Sequence, residues 1–102
     1  MTTTRVIRYR TKPEYAEDNA RMIAAVFDEL TERDVPGIRY TAWRLDDGVS
    51  FLHVAVLDGD DNPLESSPAF ARFQADIGDR LADGPFPATA TVVGSYGGTV
   101  DG

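Results

Sequence analysis

The stretch Ile38–Leu57, IRYTAWRLDDGVSFLHVAVL, decides the fold. Two runs rich in β-branched and aromatic residues flank Asp47-Gly48. That pair fits the centre of a two-residue type I′ hairpin turn, where both residues need positive φ. With the turn there, Asp46 faces Val49, Arg44 faces Phe51, Ala42 faces His53 and Tyr40 faces Ala55. One face of the hairpin then carries Tyr40, Ala42, Arg44, Phe51, His53 and Ala55. The other carries Thr41, Trp43, Leu45, Leu52, Val54 and Val56. Both faces are mostly apolar, so each needs cover.

Before the hairpin, Arg5–Arg10 alternates as a strand, with Val6, Arg8 and Arg10 on one side and Ile7 and Tyr9 on the other. Met1–Thr4 reads as a loose or edge extension. Pro13 suits a first helical turn, and Glu14, Glu17 and Asp18 favour the positive end of the helix dipole. Ala16, Ala20, Ile23, Phe27 and Leu30 keep helical spacing, so a helix is expected over residues 13–32. Asp34-Val35-Pro36-Gly37 ends it.

After the hairpin, residues 58–67 (DGDDNPLESS) are acidic, rich in turn formers and without periodicity, hence a loop. Ser67-Pro68 is an N-cap followed by a first-turn proline. Phe70, Phe73, Ile77 and Leu81 mark a second helix over residues 68–82, weakened at Gly78 and stopped by Asp83-Gly84-Pro85. Phe86-Pro87 reads as a connector and residues 88–96 as a last strand. Residues 97–102 read as a flexible tail after an ordered core over about residues 5–96.

The order β-α-β-β-α-β is the ferredoxin-like pattern, an α+β fold with a four-stranded antiparallel sheet and two helices on one face. The Trp43 face of the hairpin is expected beneath the helices. The Tyr40–Phe51 face is then left for a second copy of the chain, joined sheet to sheet in a homodimer.

The 102 residues make one domain with a modest core. There is no cysteine, which excludes disulfide and thiolate chemistry. A net charge of −7 opposes nucleic-acid binding and gives no attraction to anionic membrane. No apolar run is long enough to span a bilayer, and the N-terminus lacks the apolar core of a signal peptide, so a cytoplasmic protein is expected. The acidic loop lacks the spacing and terminal Glu of a calcium loop, and no ligand set gathers around the lone histidine, so no metal is expected. No phosphate-binding glycine loop is present either.

His53 is the one side chain whose ordinary pKa permits proton exchange near neutrality. As a general base it could deprotonate a phenol or an acidic carbon, and dioxygen could react with the resulting carbanion. The plainer role is a satisfied histidine between subunits. Tyr40, one diagonal away, could donate to a developing oxyanion or simply fill an interface. Arg8 or Arg44 could hold an enolate or carboxylate, or pair with the acidic surface. Phe51 and Trp43 are candidate substrate-contacting aromatics, and Trp43 could equally fill the core. Tyr9 and Tyr96 are further candidates on strands of less certain facing. Met22, Phe27, Phe70, Phe73 and Phe86 could line a cavity between helices and sheet or pack as ordinary core.

The opening strand RVIRYR, the helix PEYAEDNARMIAAVFDEL, the hairpin PGIRYTAWRLDDGVSFLHVAVL and the late segment SPAFARFQADI together resemble the dimeric α/β-barrel superfamily, closest to its antibiotic-biosynthesis-monooxygenase-like branch. The resemblance covers roughly residues 5–96. It implies ferredoxin-like subunits paired through their sheets, with a cavity between sheet and helices in each. It also implies a cofactor-independent monooxygenase-like activity on a small aromatic or polyketide-like molecule. The alternative is a non-catalytic homodimer that binds a small apolar ligand or serves a partner. The haem-degrading members use an Asn, a Trp and a helical His. Here His53 lies on a strand and Trp43 in the hairpin, which departs from that pattern.

Overall fold

The computed structural model describes residues 2–59 and 61–97. Strand β1 (Thr2–Thr11) leads through a short 3-10 turn (Pro13–Tyr15) into helix α1 (Ala16–Arg33). Strands β2 (Ile38–Arg44) and β3 (Ser50–Asp58) form the hairpin. A 3-10 turn (Pro63–Ser66), helix α2 (Pro68–Gln74), the single turn α3 (Ile77–Arg80) and strand β4 (Leu81–Ala90) complete the order. The strands form one antiparallel sheet in the order β2-β3-β1-β4, which is the ferredoxin-like arrangement.

The hairpin register is the expected one: Arg44 opposes Phe51, Ala42 opposes His53 and Tyr40 opposes Ala55. The turn differs. Leu45 O accepts from Gly48 N–H at 3.0 Å, so Asp46 and Asp47 are the central residues and only Gly48 takes positive φ. Asp47 is occupied otherwise. Its carboxylate accepts from the N–H groups of Val49 and Ser50 and from the Ser50 hydroxyl, which stabilises a longer loop.

The two faces of the hairpin are exchanged relative to the sequence expectation. Phe51, His53 and Leu57 are buried beneath the helices, in or beside a core that includes Tyr9, Val26, Leu64 and Phe73, and Tyr40 packs against it. By alternation, Trp43, Leu52, Val54 and Val56 point away from the helices and are half-buried. The physical reason lies in β1. Arg8 opposes Leu52 and Arg10 opposes Ser50, so the charged side of β1 shares the outer face. Tyr9 opposes Phe51 and Ile7 opposes His53, which puts the bulky aromatic set into the gap under the helices.

Helix α1 ends where Asp34 turns left-handed (φ 50°) and its N–H reaches back to Leu30 O and Thr31 O. The second helical region is shorter than expected. It breaks at Ala75-Asp76, where Asp76 also adopts positive φ, and not at Gly78. The last strand accordingly starts earlier, so Asp83-Gly84-Pro85 and Phe86-Pro87 lie inside β4. Gly84 explains how they fit: at φ 90° it crosses β1 so closely that a Cβ would stand 3.1 Å from Arg8 O and from Tyr9 Cβ. A register shift in the β1–β4 ladder falls at the same place. Residues 91–96 are exposed and outside the sheet. Strand β1 also begins earlier than expected, at Thr2. Of the expected tail, only Gly97 is among the described residues; Asp60 of the acidic loop also lies outside them.

Candidate functional site

The exchanged faces bring four polar side chains into one hydrogen-bonded chain, buried at Asn19, Tyr9 and His53 and half-buried at Tyr40. Asn19 sits on α1 in place of an apolar residue, on the stripe that includes Ala16, Ile23 and Val26, and is fully buried. Its Nδ2 donates to the Tyr9 hydroxyl at 2.8 Å. That hydroxyl lies 2.9 Å from His53 Nε2. On the far side of the ring, His53 Nδ1 lies 2.6 Å from the Tyr40 hydroxyl. The imidazole is 5% exposed and is packed by Tyr9 and Phe73, whose ring centroids lie 5.3 and 5.8 Å away. Phe27 tilts against Tyr40 at 4.7 Å.

Burial dominates the electrostatics here. It lowers the His53 pKa to about 4, so the ring is neutral at physiological pH. Among the described residues no carboxylate is bonded to either ring nitrogen. Burial likewise raises the Tyr9 hydroxyl to about 12, against the smaller opposing pulls of the Asn19 hydrogen bond and the Arg80 charge. Tyr40 is pushed up further still, by burial first and by Tyr9 second. Both phenols are therefore neutral and able to donate.

Beside this chain lies a cavity of about 310 Å³ between the sheet and the second helical region. Its floor comes from Ile7, Ala55 and Leu57. Its roof comes from Leu64, Phe70, Phe73 and Ile77, and Pro85 and Pro87 of β4 close one side. Tyr9, Tyr40 and His53 line it, and Arg5, Asn62 and Gln74 are the other polar residues of a mostly apolar wall. The volume is at the lower end of small-molecule sites and suits a compact, flat, apolar ligand.

The roof is fastened from behind. Arg80 is buried, lies over the Phe73 ring at 5.6 Å, and donates to Phe73 O at 2.5 Å and Ala75 O at 3.1 Å. Its Nε has no partner among the described residues. At the other end of α2, Ser67 Oγ accepts from Phe70 N–H, and Glu29 of α1 accepts from Ala69 N–H.

Of the residues singled out from sequence, His53 and Tyr40 come together at the cavity. Phe51 is buried in the core, stacked on Tyr9 at 5.6 Å, and does not line the cavity. Arg8, Arg44 and Trp43 do not reach it either. Arg8 lies over the Phe86 ring on the outer face, because the odd-numbered residues of β1 are the ones that point inward. Arg44 bonds Gly48 O and Glu17 at the hairpin end. Trp43 is on the opposite face of the sheet. Phe70 and Phe73 line the cavity, whereas Met22 and Phe27 pack in the layer around it and Phe86 is exposed. Tyr96 is fully exposed. Asn19 was not singled out. Asn19 carried a usable signal, a carboxamide three residues from Ala16 and four from Ile23 on an apolar stripe.

Among the described residues no cluster of His, Asp or Glu could hold a metal ion, and no helix is long and apolar enough to cross a membrane. No protein-family model matches the chain, and no curated protein matches it. Solved structures do. Rv0793 from Mycobacterium tuberculosis superposes with a TM-score of 0.73 at 15% identity, over 93% of this chain and 98% of that one. A Nitrosomonas europaea protein provisionally named an antibiotic biosynthesis monooxygenase gives 0.74 at 9% identity, over 90% of each chain. SnoaB, a cofactor-independent oxygenase from Streptomyces nogalater solved as a variant, gives 0.61 at 20% identity, over 95% of this chain and 98% of that one. The chain has the fold shared by these antibiotic-biosynthesis-monooxygenase-like proteins, a four-stranded antiparallel sheet with helices in the ferredoxin-like order.

Proposed function

We propose that the protein is a cofactor-independent oxygenase of a small aromatic or polyketide-like molecule, working as a homodimer. The observation that carries this reading is the neutral His53, bonded between two phenols at the edge of an apolar cavity. The fold shared with SnoaB supports it.

The chemistry needs a substrate with an acidic methylene beside an aromatic ketone or phenol. His53 takes up one proton from that carbon through the Tyr9 hydroxyl, which passes its own hydrogen to Nε2. The electron pair left behind spreads to the ring oxygen, where the Tyr40 hydroxyl can donate to the developing charge. The carbanion reduces dioxygen and forms a carbon–oxygen bond, giving a peroxide that recovers the proton from the imidazolium. Loss of water from the hydroperoxide leaves a carbonyl. The sum is CH2 plus O2 giving C=O plus H2O, with the substrate as reductant.

The homodimer has its own support. The outer sheet face carries Val6, Trp43, Leu52, Val54 and Val56, with Leu45 and Phe86 more than 40% exposed. A second copy packed sheet to sheet would cover it.

Oxygen uptake with anthrone as substrate, measured on an oxygen electrode, tests the activity. The expected result is protein-dependent uptake that falls about 100-fold or more in His53→Gln. Binding of anthrone without oxygen uptake would leave the second reading, a non-catalytic binder of apolar ligands. The wholly protein-satisfied state of the His53 nitrogens favours that reading.

A further inference from the structure

The four-residue chain has a direction, and Asn19 sets it. The Tyr9 hydroxyl oxygen accepts from Asn19 Nδ2. Tyr9 is 3% exposed, and leaving its single hydrogen without an acceptor in that setting would be costly. Asn19 Oδ1 is buried and unbonded among the described residues, but it is Nδ2 that faces Tyr9, so the acceptor in contact with the hydroxyl is His53 Nε2, 2.9 Å away. A neutral imidazole carries one hydrogen, so with Nε2 accepting, Nδ1 holds it and donates to the Tyr40 oxygen at 2.6 Å. Tyr40 has no other bonded partner among the described residues, and it lines the cavity. Its own hydrogen is then left to point into that space.

We infer that Asn19 is a positioning residue that fixes His53 as its Nδ1–H tautomer and leaves the Tyr40 hydroxyl as a donor to the cavity. The cavity therefore recognises its ligand through an acceptor oxygen, a ketone or enolate set in a flat apolar frame. The opposite direction would present the Tyr40 oxygen only as an acceptor once its hydrogen was spent on Nδ1, and would favour a ligand hydroxyl. This deepens the oxygenase reading, because a ketone oxygen held by Tyr40 is where charge gathers when the neighbouring carbon loses its proton.

His53 is the sole histidine, so heteronuclear NMR of the imidazole nitrogens in the full chain reports on this ring alone. At neutral pH, without ligand, the expected spectrum shows a protonated Nδ1 and an unprotonated Nε2. In Asn19→Leu, which removes the donor with little change of volume, the Nε2–H form is expected to gain population. A wild-type ring protonated on Nε2 overturns the proposal even if the variant does not fold. A folded Asn19→Leu with an unchanged tautomer overturns the role of Asn19. The ligand arm compares fluorenone with fluorene, which differ by C=O against CH2. Fluorenone is expected to bind about tenfold more tightly, and the preference to vanish in Tyr40→Phe. Equal binding of the two by the wild type overturns acceptor recognition. None of these readouts involves turnover, so the inference and the oxygenase reading can fail separately.

Discussion

The Tyr40 hydroxyl and His53 Nδ1 meet at 2.6 Å, across two neighbouring strands, at the edge of the apolar cavity. Removing the hydroxyl in Tyr40→Phe keeps the ring that packs against Phe27 and deletes only the donor. On the oxygenase reading, kcat falls by about 100-fold while KM changes far less, because the bond strengthens as charge develops. Steady-state oxygen uptake across a range of anthrone concentrations separates the two. A change confined to KM would assign Tyr40 to ground-state binding alone.

The depressed pKa of His53 makes a second prediction, about stability. Folded, the ring resists protonation down to about pH 4; unfolded, it takes a proton near its ordinary value of 6.5. Above pH 6.5 it is neutral in both states and imposes no penalty. As pH falls from 6.5 through 4, the unfolded chain binds a proton that the folded chain does not, and stability declines, by about 3 kcal/mol in total. Urea unfolding between pH 7 and 4 should show this loss, and His53→Gln should flatten that part of the curve. An unchanged slope in the variant would mean the acid sensitivity lies elsewhere.

Gly84 offers a test of the β1–β4 crossing. In Gly84→Ala, the added methyl meets Arg8 O and Tyr9 Cβ at 3.1 Å, at a φ of 90° that alanine rarely adopts. The expected cost is about 1–3 kcal/mol, a fall in Tm of roughly 5–15 °C for a chain of this size. Thermal unfolding followed by circular dichroism measures it. A Tm within a degree or two of the wild type would show that β4 can slide away from β1.

The outer face of the sheet supplies the test of assembly. Val54 lies on β3, between β2 and β1, and points away from the helices. On the homodimer reading, Val54→Glu places an unpaired charge in the middle of the contact and halves the mass measured by light scattering in dilute solution. A wild type that is already monomeric would remove the homodimer from the reading.

Periodicity made the order of elements and the hairpin register legible, because Arg44–Phe51 and Tyr40–Ala55 follow from where the chain reverses, whatever the turn type. The facing of the sheet was not legible from the hairpin alone. Both its sides are apolar, and the alternation that separates them does not say which side the helices take. The deciding information was in β1, where Arg8 and Arg10 share a side opposite Ile7 and Tyr9, but it acts only once β1 is laid against β3. The end of the second helix misled for a local reason. Glycine and proline at residues 84 and 85 usually stop elements, and here Gly84 instead lets one strand pass close over another. His53 and Tyr40 were visible as chemistry and as neighbours. Asn19 was hidden by lying on α1, where its meeting with Tyr9 depends on how helix and sheet dock.

Arg80 holds the ceiling above the imidazole with bonds to main-chain oxygens of Phe73 and Ala75. Carbonyl oxygens do not titrate, so the acceptors of this tie are the same at any pH. Added salt, which dissolves surface ion pairs, has little purchase on a buried tie of this kind. The cavity should thus keep its shape through swings of ionic strength that loosen the carboxylate bridges on the outside of the molecule.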